Sequence, residues 1–459
     1  MPHLTQELAQ FIHQLRHHEI PTSGTIAVRR GISDYLGVMF AGRNEAVVQH
    51  ALSMVTLTHN SGSANVLGDR GKASTSDAAF VNAVAGHALD YDDTGLDGHP
   101  SVVLGPVVLA EAESLGCNWQ SAVTAYIAGY ETWADLIARD ADKHHGKGWH
   151  PTAVFGVVAC AAASAHLRQL NVAQTANALG IAASLASGLV VNFGSMTKPL
   201  QVGLAARNGI IACQLAQRGL TATHDALENP HGFLAALSPK GQVDLVRPCA
   251  AGQAWQIQLQ GLNIKRYPVC YAVHRVIDAC LSLLADVQGQ IEQIEHIHVH
   301  MGHLQAAMLR SSHPQNALDA KFSAQFAVAC ALSNGHVNLD DLEDANITQP
   351  HLQALMQLVQ IHADKTQDPD DLLFSPCDEL TIHFRNGVRL NSQPVSKPLG
   401  HAKHPIGNSE LQEKFFDCAK RTMPLAEVAP WWSMCNAHET ELIEWPVLKP
   451  VQDTGLIED

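Results

Sequence analysis

Residues 295–301 read Glu-His-Ile-His-Val-His-Met, polar and apolar residues in alternation. A period of two predicts a strand with one buried face, because successive side chains point to opposite sides of a sheet. Before about residue 240 the texture is different. Apolar residues there follow helical spacing over 24–41, 78–90, 102–115, 120–138, 152–169, 172–189 and 203–218. Small residues such as Ala159-Cys160-Ala161-Ala162-Ala163 suit helices that approach closely, and Gly116 and Gly219 mark turns. A second alternating stretch, 379–390, surrounds Asn386-Gly387, which predicts a two-residue hairpin turn. Helical patterns at 273–286, 319–333 and 350–359 lie between the two strand signals. After about residue 400 helix returns, with Ser409-x-x-Gln412 as a capping box. The order predicts a mostly α protein: a large all-α helical domain (1–263 plus 395–459) with an inserted smaller α+β lid domain (264–394). A cleft between the two is the expected home of a ligand.

Bulk properties narrow the function. The chain has 459 residues, enough for two or three domains. Lys and Arg number 29 against 44 Asp and Glu, a net charge of −15 with no basic stripe, which argues against nucleic acid. An anionic substrate would need a local cluster of cations set against that field. The ten cysteines contain no CxxC pair and lie mostly in apolar runs, so buried free thiols are expected in preference to disulfides or zinc. The first residues carry no basic and apolar signal-peptide pattern, and the apolar run at 152–165 is too short to span a membrane. A cytoplasmic location is the expectation.

Four polar stretches stand out between apolar helices. The first runs from His87 through Asp90, Asp92, Asp93, Thr94 and Asp97 to His99-Pro100. Its opening fits a calcium loop, but Ser101 occupies the closing position where a bidentate Glu is required. An acid–base and substrate-binding loop fits better, with a solvated acidic turn as the plain alternative. The second, Gly148-Trp-His150-Pro-Thr152, puts His150 at a helix start, where the dipole favours neutral imidazole and bound anions. The third, Asn192 to Leu200, contains Lys198 but no P-loop frame. In the fourth, Lys265 and Arg266 precede His274 at another helix start, supplying local positive charge. No GxGxxG, GxSxG or HExxH motif occurs, so nucleotide, serine-hydrolase and zinc-hydrolase readings lose support.

Taken together, these stretches resemble the MmgE/PrpD family. The resemblance rests on His87-Ala-Leu-Asp90-Tyr-Asp-Asp-Thr94 with His99-Pro-Ser, Gly148-Trp-His150-Pro-Thr-Ala-Val, and Ala186-Ser-Gly-Leu with Asn192-Phe-Gly. It continues through Met196-Thr-Lys198-Pro-Leu, Lys265-Arg-Tyr-Pro with His274, Ala320-Lys-Phe-Ser323 and the Lys414-Phe-Phe stretch. It implies a helical domain with an α+β lid, a homodimer, and no metal or organic cofactor. Family members are 2-methylcitrate dehydratase, cis-aconitate decarboxylase and iminodisuccinate epimerase. The decarboxylase's active-site set falls here on Asp90, Thr94, His99, His150, Lys198, Lys265 and His274. A further active-site Tyr would fall at Phe326, and the Thr94–His99 spacing is shorter than in the decarboxylase.

The resulting expectation is proton removal beside a carboxylate of a small polycarboxylate, with fixed positive charge facing the enolate-like product. His99 and His150 are the acid–base candidates, with Asp90 orienting one of them. Lys198, Lys265 and Arg266 would hold carboxylates, and Thr94 would hydrogen-bond one. His274 would arrive from the lid. Dehydration leads, epimerisation follows, and decarboxylation comes third because of Phe326. A non-catalytic helical scaffold is the alternative from another class. It requires the four stretches to lie apart.

Overall fold

The computed structural model describes residues 3–58, 62–68, 71–369, 371–443 and 445–446. Helices Thr22–Gly42, Thr75–His87, Pro100–Leu115, Trp119–Ile137, Gly156–Leu167, Val172–Ser184 and Thr197–Gln217 form the larger part, as the periodicity predicts. Their ends carry local signals. Ser74 Oγ accepts from the Asp77 amide, and Asn118 Oδ1 from the Ser121 amide. Asn171 and Gln174 cap each other reciprocally. Gly116 closes its helix in the left-handed conformation at φ 65°.

The abundance of small residues has a steric cause. A Cβ on Gly209 would stand 2.4 Å from Cys160 Cβ, and one on Gly129 2.7 Å from the Ala159 carbonyl oxygen. Helices Trp119–Ile137 and Thr197–Gln217 thus both lie tightly against Gly156–Leu167, and their contacts are made at backbone distance. The large side chains of helix Trp119–Ile137, Trp119, Tyr126, Tyr130 and Trp133, are all fully buried in the same core. Each large apolar side chain so removed from water contributes about 1.5–3 kcal/mol.

A second apolar core is built from residues between Tyr267 and Phe384. It lies under a four-stranded sheet ordered Val359–Asp364, Ile294–Gly302, Glu379–Phe384, Arg389–Asn391. The first pair is parallel and the other two antiparallel. Ile294, Ile297, Val299 and Met301 point into this core with Leu380 and Ile382, matching the predicted alternation. Helices His274–Ser282 and Ala324–Asn334 cover that face. Past residue 400 the chain rejoins the first core through Phe415, Trp431 and Met434.

Three local expectations are corrected. Residue 359 starts a strand instead of ending a helix; helix Pro350–Met356 stops three residues earlier. At Asn386-Gly387 the hairpin has a longer loop. The Gly387 amide donates to the Phe384 carbonyl, the Phe384 amide donates to the Val388 carbonyl, and Gly387 sits at φ 84°. That is a three-residue turn with a left-handed Gly, the next commonest hairpin connection after the two-residue one. The last capping box lies earlier, with Glu410 accepting from the Gly407 amide at 2.6 Å. Among the described residues no helix is long and apolar enough to cross a membrane. All ten cysteines are free.

Candidate active site

The loop after helix Thr75–His87 takes an unusual path. Asp90, Leu96 and Asp97 all have positive φ, at 53°, 50° and 59°. Left-handed backbone at non-glycine residues costs energy and persists where the surroundings over-determine it. Here they do. Gly95 and Gly98 exchange backbone hydrogen bonds at 2.9 and 2.8 Å. Lys143 Nζ holds both oxygens of Asp97 at 2.8 and 3.0 Å. Asp93 Oδ1 accepts the Ser101 amide at 3.1 Å, at the start of helix Pro100–Leu115. A Cβ on Gly98 would fall 2.8 Å from the Trp133 ring, so only glycine fits there.

This path buries Asp90 between two lysines. Its Oδ1 accepts from Lys198 Nζ at 2.8 Å and from Lys265 Nζ at 3.0 Å. Lys265 also reaches the Asp90 carbonyl at 2.6 Å. Burial by itself opposes ionisation of Asp90, but the two ammonium groups outweigh it and hold the carboxyl well below the usual range. Lys414 braces the arrangement from the C-terminal segment. It donates to the carbonyls of Tyr91 and Lys265 at 2.9 and 2.8 Å and pairs with Asp34 at 2.6 Å.

The histidines surround this triad. His99 places Nδ1 3.0 Å from Asp92 Oδ2 and 2.9 Å from the Asp93 carbonyl, both acceptors, so Nδ1 carries a proton. Its Nε2 faces Asp90 Oδ1 at 3.8 Å. Asp92 is shared with His87 Nδ1 at 2.9 Å, and the His87 and His99 rings meet edge to face at 4.5 Å. Burial pulls His87 down to about 4, against the pull of Asp92. His150 stands one residue before helix Pro151–Val154, as His99 does before Pro100–Leu115, each followed by a proline at the first helical position. Burial, and next Lys198, keep His150 well below its ordinary value. Its Nδ1 meets Gln201 Oε1 at 2.8 Å, while Nε2 has no hydrogen-bond partner among the described residues. Phe193 packs edge-on against the His150 ring at 4.9 Å and lies 5.0 Å beneath Lys198 Nζ. Gly188 lets the chain pass here: a Cβ there would lie 2.7 Å from Ala153 Cβ, and its φ of 135° excludes most other residues.

Asp90, Thr94, His99, His150, Lys198 and Lys265 all line one cavity of about 540 Å³. That is the size of a small-molecule site. All four stretches singled out in the sequence reach it, which removes the scaffold alternative's premise. Its wall holds five lysines against three aspartates, in a protein of net charge −15. Lys143, Lys397, Lys403, Tyr271 and His145 are wall residues the sequence did not single out for the site. They come from three segments far apart in the chain, at 143–145, 271 and 397–403, which only the folded chain brings together.

Two expected residues are placed elsewhere. Arg266 is exposed and absent from the wall; its neighbour Lys265 turns inward, and adjacent side chains here point opposite ways. Arg266 contributes its carbonyl, which accepts from Tyr91 Oη at 3.0 Å. His274 is buried behind the wall, its ring 5.0 Å from that of Tyr271, with Nε2 3.3 Å from the Val269 carbonyl. Phe326 is also off the wall, buried in the second core.

His87, Asp90, Asp92 and His99 bring ligand-type atoms within 4.8 Å of one another, the composition of a metal site. The carboxylates are already engaged, Asp90 by two ammonium groups and Asp92 by two imidazoles, while His87 Nε2 has no hydrogen-bond partner among the described residues. With both carboxylates already paired with cationic or N–H donors, the cluster fits an organic anion beside the lysines better than a resident cation.

These features describe a mostly helical protein with a lysine- and imidazole-lined pocket of small-molecule size. The chain belongs to the MmgE/PrpD family: the MmgE/PrpD N-terminal domain matches residues 6–246 and the MmgE/PrpD C-terminal domain residues 267–432. Among curated relatives it is 28% identical to cis-aconitate decarboxylase of Homo sapiens, over 90% of this chain and 87% of that one. It is 25% identical to cis-aconitate decarboxylase of Aspergillus terreus, over 90% and 88% respectively.

Proposed function

We propose that this protein is a cofactor-independent lyase that decarboxylates a small unsaturated tricarboxylate of the cis-aconitate type. This replaces dehydration, which led on family frequency alone. The relatives favour decarboxylation, and the objection from Phe326 loses its force because that side chain is off the cavity wall. The single observation that carries the reading is the buried Asp90 clamped by Lys198 and Lys265 at the wall of a cationic cavity.

In this reading the cavity lysines hold the substrate's carboxylates. Breaking the bond from a saturated carbon to its carboxylate releases carbon dioxide and leaves the electron pair in an allylic anion. That anion is delocalised onto the remaining conjugated carboxylate, where preorganised positive charge lowers the barrier. A proton delivered to the far carbon of the allylic system completes the product. His99, its Nδ1 proton anchored on Asp92 and Asp93, takes a second proton from solvent at Nε2 and delivers it to the anion, the one proton the reaction consumes. His150, neutral with Nε2 unpartnered among the described residues, takes no proton from the substrate and offers Nε2 as a hydrogen-bond acceptor that positions it. The segment 264–394 serves as a lid over the larger helical unit, bringing Tyr271 to the substrate with His274 supporting it from behind, while Lys397 is contributed just past the segment's end.

Proton NMR in deuterated water tests this with cis-aconitate, 2-methylcitrate and iminodisuccinate offered separately. Loss of carbon dioxide from cis-aconitate, with one deuterium in the product, is the expected result. Water loss from 2-methylcitrate or deuterium exchange in iminodisuccinate, with cis-aconitate unchanged, would restore the dehydratase or epimerase reading.

A further inference from the structure

The strand that decides the fold carries a feature the active site does not use. His296, His298 and His300 alternate with buried Ile297, Val299 and Met301, so all three imidazoles stand on the outer face of the sheet. The neighbouring strands each add one more. His362 is in register with His300 across the parallel pair, and His383 with His296 across the antiparallel pair. The rings gather round the central strand. His298 lies 4.9 Å from His362 on one side and 4.9 Å from His383 on the other, and His300 stacks on His362 at 4.9 Å. His298 Nδ1 and His362 Nε2 approach to 2.6 Å. None of the five lines the cavity.

Five imidazoles on three adjacent strands have little structural purpose on a solvent-facing surface. At the centre of the group, His298 is lowered by partial burial and then by His362, His383, His296 and His300 in turn. Neutral imidazole is the ligand form for borderline first-row metals. Two nitrogens bound about 2.0–2.1 Å from one ion stand about 2.9 Å apart at a right angle and about 3.3 Å at a tetrahedral one, so this pair needs to open by less than about 1 Å.

We propose that this sheet face is a binding site for a borderline divalent metal ion such as Zn²⁺, chelated by His298 and His362 and completed by His383 or His300. Coordination shifts the proton between the two rings to the far nitrogen of the donor ring, freeing both facing lone pairs, and leaves remaining positions to water. The site is independent of the proposed decarboxylation.

The test is titration of the untagged, chelator-stripped protein with Zn²⁺ by calorimetry, for wild type and for H298Q/H362Q, with H383Q as a milder variant. The wild type is expected to take up one ion per chain, with affinity falling at least about tenfold in the double variant. Turnover and melting temperature should stay unchanged, since these side chains lie on the outer face. Nitrogen hyperfine coupling in the electron paramagnetic resonance of bound Cu²⁺, lost in the same variants, would support the ligand set. Failure of the wild type to bind Zn²⁺ would overturn the proposal. So would equal uptake by wild type and both variants, which would move the ion to the His87–Asp90–Asp92–His99 cluster or to scattered surface groups.

Discussion

Gln201 Oε1 lies 2.8 Å from His150 Nδ1, and Gln201 Nε2 donates to the Leu189 carbonyl at 3.2 Å. The second bond fixes the amide's orientation, so the first requires the imidazole proton on Nδ1. The Nε2 lone pair is therefore the free one. Gln201→Leu removes this control while keeping the volume. We expect turnover to fall by about tenfold or more with the fold intact, as for other lost orienting partners; circular dichroism and steady-state kinetics check it.

The pH profile gives the same relationship a sign. Burial, then Lys198, hold His150 well below its ordinary value, so it stays neutral as pH falls through the usual histidine range. The acid limb of kcat/KM should thus show no loss from His150 near pH 6.5. Gln201→Glu places a carboxylate on Nδ1, favours the imidazolium and moves an acid limb upward toward neutrality. An unshifted profile in that variant would remove His150 from the chemistry.

Asp90 neutralises two buried ammonium groups at once. Asn tolerates the left-handed backbone found there, so Asp90→Asn isolates the charge. The variant leaves Lys198 and Lys265 facing each other without a counter-charge. It should lose about 3–5 kcal/mol of stability. It should also lose about two orders of magnitude in turnover. The Asp90 carboxyl is depressed in the folded protein, so its stabilisation is present above about pH 4 and lost only as pH falls toward its lower folded value. Melting curves of the two proteins should therefore converge in strong acid.

Lys265 and Arg266 are neighbours in sequence but not in environment. Lys265→Ala should abolish measurable turnover, because it strips Asp90 of one partner and the cavity of one cation. Arg266→Ala, at an exposed side chain, should change kcat and KM by less than about twofold and stability by at most about 0.5 kcal/mol. Equal losses in the two would show that Arg266 reaches the substrate.

Phe326→Tyr separates residue type from position. The ring is fully buried in the second core, so the added hydroxyl meets no water. It should cost about 1–3 kcal/mol of stability, read as a lower melting temperature, while leaving turnover within about twofold of wild type.

Much of the fold was legible because its signals are local. Helical periodicity located the main helices of the larger unit, and the alternation at 295–301 located the central strand. The strand Val359–Asp364 was not read, although Val359-Gln-Ile-His-Ala-Asp alternates apolar and polar residues: the run is short and follows closely on helix Pro350–Met356, and its strand state is fixed by pairing with Ile294–Gly302. Lys414 shows the same limit within the site. Its place in the family pattern could be read, but not that its ammonium would tie Tyr91, Lys265 and Asp34 together.

The sequence by itself determined which residue types the pocket contains, because His-Pro pairs, the acidic loop and isolated lysines stand out against apolar helices. Tertiary structure alone decided which of them share space. Lys198 meets Asp90 across 108 positions of chain and Lys265 across 175. Arg266 and His274, so similar in sequence context, fall outside the wall. Charge and hydrogen-bonding capacity belong to the residue, but distance, burial and the resulting proton affinities arise only when separate helices pack.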